Sequence, residues 1–542
     1  MGPTQLSYEE KADSSGDALA DSSDDLSDDL SADNYPHGLH LIALVVSVCT
    51  SIFLIALDQT IVGTAIPKIT DEFKSLSEQS WYGAAYSMTL GGFQSSWGKA
   101  FKYFSIKFTF LLCLFIFEVG SLICGVAPNS VVLIVGRAIS GVGGAGIVTG
   151  GTTIIAFCVE PKKRPIYMGI IGVTYAFAAV AGPLVGGAFS DRVTWRWCFY
   201  INLPIGGVVI AGIQFFFHLS AAAKPLKAST VEKIIHMDPV GIVLAMGSII
   251  CFILGFQYAG VTYAWNSSQV IGLIIGFAAL MGALGIWEAY MGERAMLVPR
   301  LLKQRALWAP STFQFFFAGT YFLLLYYLPL YFQSILGHDA VGSGVDNLAM
   351  VIAVGIFVLA GGITVSATGH AVPFMALGAA ISMVACGLFY NMDIDTSTAK
   401  WIGYQILSGA AIAFPYQNCL NVVHANVDAE DISTASAILY FFQTLGGAFS
   451  LSGAQAGFVN RAISTLAISA PSVDPEVLIA TGAAELRQVF SPDQMPGILM
   501  AYMAGIKAAF AVAIGMAGFS FLLSLLCPWK KVHVRGMDIG MA

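Results

Sequence analysis

The chain has 542 residues, 56% hydrophobic and 11% charged, where soluble domains carry roughly 25% charged residues. That balance excludes a water-soluble enzyme, and the apolar segments are far too many for a single membrane anchor. The net charge of −7 belongs to a tail, because residues 1–34 hold ten acids and one base while the rest is slightly basic.

Residues 1–38 form the acidic cytosolic tail, rich in Ser and Asp and predicted to be disordered. The polar opening offers no secretory signal pattern. A helix needs about 20 apolar residues to cross the hydrocarbon core. Fourteen runs qualify, at 39–62, 81–97, 108–127, 130–151, 166–189, 197–218, 239–258, 270–290, 309–333, 345–367, 372–390, 401–420, 434–459 and 499–526. Runs 2 and 10 are the weakest, being rich in Gly and Ser. Lipid satisfies no backbone group, so these runs must be helices unless a barrel closes. They lack the alternation of barrel strands. The expected fold is therefore an all-α membrane protein with 14 transmembrane helices.

Lys and Arg set the orientation. With a cytosolic N-terminus, 17 of the 26 bases fall on the cytosolic side, 7 outside and 2, Arg137 and Lys507, within spans. The bias is strong in the first half and fails after runs 10 and 12. The runs divide as six, two and six. This gives a first bundle over 39–218, a linker with two extra helices over 219–308, a second bundle over 309–529 and a cytosolic tail over 530–542. The long outer loop 460–498 is expected to hold a short amphipathic helix near 475–490. Asn266 opens a glycosylation sequon in an outer loop. The nine cysteines show no CxxC spacing and read as buried small hydrophobes. Neither a metal site nor a cofactor is expected.

Charges at membrane depth are costly and point to function. Asp58 and Arg137 sit at similar depth in runs 1 and 4, so a pair is geometrically available. It would be either a carboxylate that gains and loses a proton or a static ion pair. Glu118 in run 3 and Lys507 in run 14 are the other candidates, and with Gln94, Gln314, Tyr327, Gln417, Tyr440 and Gln443 they make up the expected substrate cavity. This amide and aromatic collection suits a large, greasy, partly aromatic ligand. Small residues Gly182, Gly186 and Gly187, with Pro183, mark a closely packed, bendable segment in run 5.

The segments Leu57-Asp58-Gln59-Thr60, Arg137 with Gly141 and Gly144-Ala145, Gly182-Pro183-Leu184-Val185-Gly186-Gly187 and Trp195-Arg196-Trp197 through Gly206 occur in order. With Tyr327-Leu328-Pro329 and Tyr440 to Gly447, they resemble the major facilitator superfamily. The likeness is to its fourteen-span drug:proton antiporter branch, and in particular to fungal toxin and multidrug efflux pumps, over about 39–530. The resemblance implies two six-helix bundles with two central linker helices and alternating access. It implies proton coupling through Asp58 and Arg137, and export through the antiporter motif at Gly182, Pro183, Gly186 and Gly187. One departure stands out. The cytosolic gate loop keeps Gly98, Lys99, Lys102 and Lys107 but lacks the family's acidic member.

The expectation is a proton-coupled efflux transporter for a hydrophobic metabolite, mycotoxin or xenobiotic, and not an enzyme. Its partners would be that substrate, protons and lipid, with the protein monomeric. The plasma membrane is the expected location, with vacuolar or vesicle membranes as alternatives. Import of an iron–siderophore or other organic solute is the second reading, and a non-transporting receptor or scaffold the third. Nucleic-acid binding is not expected, because the bases flank the bilayer without forming a groove.

Overall fold

The structure, a computed structural model, describes residues 36, 38–73, 79–217, 228–260, 262–483 and 485–531. Both expectations for the terminal tails, including disorder over 1–38, fall almost entirely outside the described residues.

The described residues are helical, with one isolated bridge between Ala259 and Tyr263 in a turn. The long helices of the first half are α1 (Gly38–Phe73), α2 (Gln79–Tyr103), α3 (Ile106–Val126), α4 (Ser130–Cys158), α5 (Arg164–Arg192) and α6 (Asn202–Phe216). A single turn, Trp197–Tyr200, leads into α6. Next come α7 (Pro239–Tyr258) and α8 (Ser268–Met291). The second half has α9 (Arg305–Ser334), α10 (Leu348–Thr368), α11 (Val372–Tyr390), α12 (Thr398–Asn426), α13 (Ile432–Ser469) and α14 (Met495–Ser524).

Polar caps fix several starts. Asn129 accepts from the Val132 N–H at α4, and Ser267 from the Val270 N–H at α8. Asp238 caps α7 from the left-handed region at φ 50°, a conformation that costs a non-glycine residue about 1–2 kcal/mol. Three hydrogen bonds hold its fully buried carboxylate there. They come from the Gly241 N–H (2.8 Å), Trp287 Nε1 (2.7 Å) and the Met296 N–H (2.9 Å). The residue thus joins the start of α7, the end of α8 and the following loop.

Twelve helical segments are long and apolar enough to cross a membrane. Each of the fourteen expected runs coincides with a helix, but α2 and α12 fall outside the twelve. They have 25 and 29 residues, enough at 1.5 Å per residue to cross a core of roughly 30 Å. What lowers their hydropathy is inward-facing amides and hydroxyls, including the buried Gln94, Ser95, Gln405, Asn418 and Asn421.

Two boundaries differ from expectation. Helix α1 runs on to Phe73 instead of ending near 62, so Asp58 lies deeper along it than expected. Helix α13 runs to Ser469 and takes the first part of the expected outer loop. Only the short helices Pro475–Ala480 and Leu486–Val489 follow before α14.

Within the first half, α1 packs on α5 and α6, and α4 is held between α2 and α3. Within the second, α13 packs on α9 and α14, and α12 on α10 and α11. The halves meet along two seams, α2 against α13 and α5 against α10. Helix α7 lies on the first seam, touching both α2 and α13.

Candidate functional site

Asp58 and Arg137 meet. The Arg137 guanidinium donates through Nη1 to Asp58 Oδ2, and the two residues are 1% and 0% exposed. A buried charge needs full satisfaction, and the surroundings supply it. Arg137 Nε donates to the Tyr82 carbonyl (2.9 Å), and its guanidinium lies over the Tyr86 ring, 4.3 Å from the centroid. Asn202, at the start of α6, donates to Asp58 Oδ1 (3.3 Å) and to Ser121 Oγ (3.1 Å). Sequence reasoning placed Asn202 in a motif but gave it no role. Its signal was a lone amide between apolar residues just after Tyr200-Ile201.

One residue beyond Asp58, Gln59 accepts from the Tyr175 hydroxyl (2.5 Å). Tyr175 on α5 faces the second half. There Tyr321 and Tyr416 pack edge to face at 5.3 Å. Gln443 Nε2 donates to the Tyr416 hydroxyl (2.7 Å), and Gln314 Nε2 donates to Gln443 Oε1 (2.8 Å). Tyr440 on α13 reaches Thr152 on α4, and Gln94 donates to Thr149 on α4 (3.2 Å). This layer of phenols and amides between the halves contains the expected Gln94, Gln314, Tyr440 and Gln443. Gln417 stands at the α5 seam, where a Cβ built on Gly172 would meet its side chain at 3.5 Å. Gln59 stands in the first motif and Tyr321 among the aromatics of run 9, yet neither is singled out from the sequence, and Tyr175 and Tyr416 carry no signal there, because aromatic and amide residues recur along these helices.

Three expected cavity residues lie elsewhere. Lys507 pairs with Asp393 (3.2 Å) in the turn after α11. The Ile394 N–H and Lys507 together hold the Asp393 carboxyl below the usual range. Tyr327 is fully buried inside the second half, bonded to Gln455 (3.2 Å) and packed on Phe458. Glu118 is buried against α6, with the Gly206 backbone beside its carboxyl group. Asn266 is exposed in the turn between α7 and α8.

The small residues of α5 permit close approach to α1. A Cβ on Gly182 would lie 2.0 Å from Thr60 Oγ1, and one on Gly186 would lie 2.6 Å from the Ile61 carbonyl. Gly187 faces Val341 at 4.0 Å, and Pro183 lies inside the helix.

The gate-loop residues are engaged, and their acidic partners come from other parts of the chain. Lys102 pairs with Asp431 (2.6 Å) at the start of α13, and Arg300 pairs with both Asp431 (2.8 Å) and Glu293 (2.9 Å). Those two carboxylates raise the Arg300 pKa above its already high ordinary value. Lys99 donates to the Glu293 carbonyl (2.5 Å), and Tyr103 stacks on His236 at 4.5 Å. A Cβ on Gly98 would lie 2.4 Å from Ala437 Cβ. Among the described residues, Lys107 bonds the carbonyls of Gln214 and Phe217, within the first half. The acid missing from the loop is thus supplied by α13 and by the segment after α8. At the second seam, Ser366 on α10 donates to the Lys162 carbonyl next to α5. Among the described residues, no His, Cys, Asp and Glu cluster could hold a metal ion.

A family model described as Major Facilitator Superfamily matches residues 48–451. The chain is similar to the MFS-type transporter thnB of Trichoderma harzianum, with 57% identity covering 94% of this chain and 88% of the relative. It is 49% identical to the probable efflux pump gsfJ of Penicillium aethiopicum, covering 92% and 90%. It is 39% identical to the efflux pump aflT of Aspergillus parasiticus, covering 92% and 98%. Among solved structures, the proton:xylose symporter XylE superposes with a TM-score of 0.56 at 12% identity, covering 91% of this chain and 98% of that one. That likeness shows the fold alone.

Proposed function

The chain belongs to the Major Facilitator Superfamily, and on that footing we propose that it exports a hydrophobic secondary metabolite in exchange for protons. It is a multi-pass membrane transporter whose relatives carry the names of efflux pumps and MFS-type transporters. Our reading takes α2 and α12 as spans, for fourteen in all, divided six, two and six. It places the protein in the plasma membrane as a monomer.

The observation that carries the coupling is the buried Asp58–Arg137 pair, one residue from the amide–phenol layer between the halves. Protonation of Asp58 removes one charge of the pair and frees the guanidinium to hold other acceptors. A proton moving down a membrane potential supplies about 2.3 kcal/mol per 100 mV. The layer around Tyr175, Tyr321, Tyr416 and Gln443 suits a neutral, partly aromatic cargo, which stacks on phenols and bonds to amides. Both seams are closed at the end that carries the basic loops, with Lys102, Arg300 and Asp431 across one and Lys162 and Ser366 across the other. We read this as the cytosol-closed state of an alternating-access cycle.

The test is deletion of the gene followed by metabolite profiling of cells and medium, then complementation with wild type and with Asp58→Asn. Export predicts that the deletion strain retains a metabolite. Wild type should restore its release, and Asp58→Asn should lower release at least tenfold. Reduced accumulation on deletion would instead identify an importer, and full release by Asp58→Asn would remove Asp58 from coupling.

A further inference from the structure

Glu118 has no function in the mechanism above, yet its setting is unusual. It is 8% exposed on α3, and neither carboxyl oxygen has a hydrogen-bond partner among the described residues. Its Oε1 packs so closely on α6 that a Cβ built on Gly206 would lie 1.8 Å away. Gly206 stands one helical turn after Asn202, which holds Asp58, and Ser121, one turn after Glu118, accepts from the same Asn202 amide. Asn202 Oδ1 is also without a partner. A buried carboxyl group with no donor beside it is far less costly as the neutral, protonated acid than as an anion.

Charge balance leads to the same place. The elements packed on α3 are α2, α4, α6 and the turn Trp197–Tyr200. Helix α6 carries no titratable side chain, α4 carries Arg137 and Cys158, and the turn carries Cys198 and Tyr200. Helix α2 contributes Tyr82 and Tyr86 near the pair, and Lys99, Lys102 and Tyr103 at its far, gate end. Asp58 on α1 is joined to this region through Asn202, whose amide donates both to Asp58 and to Ser121, one turn from Glu118. This pocket therefore contains one fixed cation, Arg137, and two carboxyl groups. A low-dielectric site tolerates little net charge, so only one of the two acids can be ionised.

We propose that Asp58 and Glu118 share a single proton around Arg137, which makes Glu118 a second proton-binding site. In the conformation seen here Asp58 is the ionised partner of Arg137, and Glu118 holds the proton as a neutral acid. The shared proton then passes from Glu118 to Asp58: the Glu118 O–H bond breaks, the Asp58 O–H bond forms, Glu118 becomes the compensating anion and the pocket stays neutral. This rests on the reading that Asp58 exchanges protons, and it explains how a buried arginine survives the step in which its partner is neutralised.

Infrared spectroscopy of the full chain in lipid vesicles, titrated with pH and needing no transported ligand, tests it through the C=O stretch of buried protonated carboxyl groups. Wild type should show this signal at neutral pH, and Glu118→Gln should lose the Glu118 part of it, leaving the part contributed by the buried Glu288 of α8. Asp58→Asn should shift the midpoint of the Glu118 signal down by about one pH unit or more, because Glu118 is then the only available counter-ion. A neutral-pH signal as large in Glu118→Gln as in wild type would overturn the proposal, as would a midpoint unmoved in Asp58→Asn. The second measurement keeps Glu118 in place, so it decides even if Glu118→Gln fails to fold. If Asp58→Asn still exports its metabolite, the coupling reading falls, whereas the infrared result alone decides whether the two acids share a proton.

Discussion

Asp58 and Arg137 satisfy each other so completely that removing one is worse than removing both. Asp58→Ala takes the contacting carboxylate from a guanidinium that is 1% exposed, a loss of up to about 3–5 kcal/mol for breaking a buried pair, lessened by whatever an ionised Glu118 offsets from farther away. Replacing both residues with leucine returns much of that, since apolar substitutes for buried pairs are often neutral. Thermal melting of the purified variants should rank wild type highest, Asp58→Leu/Arg137→Leu next and Asp58→Ala lowest. Equal melting of the last two would mean that the pair contributes little to the fold. The pair was legible in the sequence because two charges at matching depth stand out in an apolar chain. Its supports were less so. The Tyr82 carbonyl donates nothing to a residue pattern, and the amide of Asn202 gains meaning only when α6 folds back on α1. Lys507 misled for the opposite reason, since its partner Asp393 lies more than a hundred residues away in a turn.

Helices in this chain approach one another at glycines, and those contacts differ in kind. On α13, a Cβ at Gly446 would lie 1.9 Å from the Phe315 carbonyl of α9, a backbone atom that cannot step aside. On α5, the obstacle at Gly182 is the hydroxyl of Thr60, while at Gly186 it is the Ile61 carbonyl at 2.6 Å. Gly446→Ala should therefore destabilise the protein by about 1–3 kcal/mol, as overpacking does, and Gly186→Ala by a similar amount. Gly182→Ala should cost somewhat less, because Thr60 Oγ1 can rotate away and the nearest backbone atom, the Ile61 nitrogen, stands at 3.1 Å, which leaves Thr60 Cβ at 2.7 Å as the contact to relieve. Scanning calorimetry or detergent melting of the three variants checks the order. A Gly182→Ala protein that melts lowest would contradict it. The glycine clusters and their helices were readable from composition. The partner of each glycine was not, because every face of these helices is apolar. Length was misread too, as α1 and α13 continue beyond their apolar cores with residues that are polar but still helical.

The gate joins three parts of the chain through Asp431, Lys102 and Arg300, with Glu293 and Lys99 behind them. Lys102 is 15% exposed at its side chain and Arg300 is 45% exposed, so each pair contributes only about 0.5–1 kcal/mol after screening. Asp431→Asn weakens both pairs together and should raise amide hydrogen exchange in residues 98–107 and 432–437 several-fold. High salt should do the same to wild type. Unchanged exchange would show that apolar packing alone holds this end shut. The sequence showed the bases of this latch and their missing acid. Only the fold brings Asp431, 329 residues from Lys102, into reach.

The position of α7 also makes the molecule's two flanks unequal. One seam, α2 against α13, lies behind α7, whose Phe252 stacks on Phe449 at 3.9 Å, with Phe277 of α8 at 5.6 Å from the same ring. The other seam, α5 against α10, has no such cover among the described residues. In the plane of the bilayer the protein therefore has a roofed back and a bare front. On the proposed reading, a cargo arriving dissolved in the lipid leaflet would meet the space between the halves at the front, the side that α7 leaves uncovered.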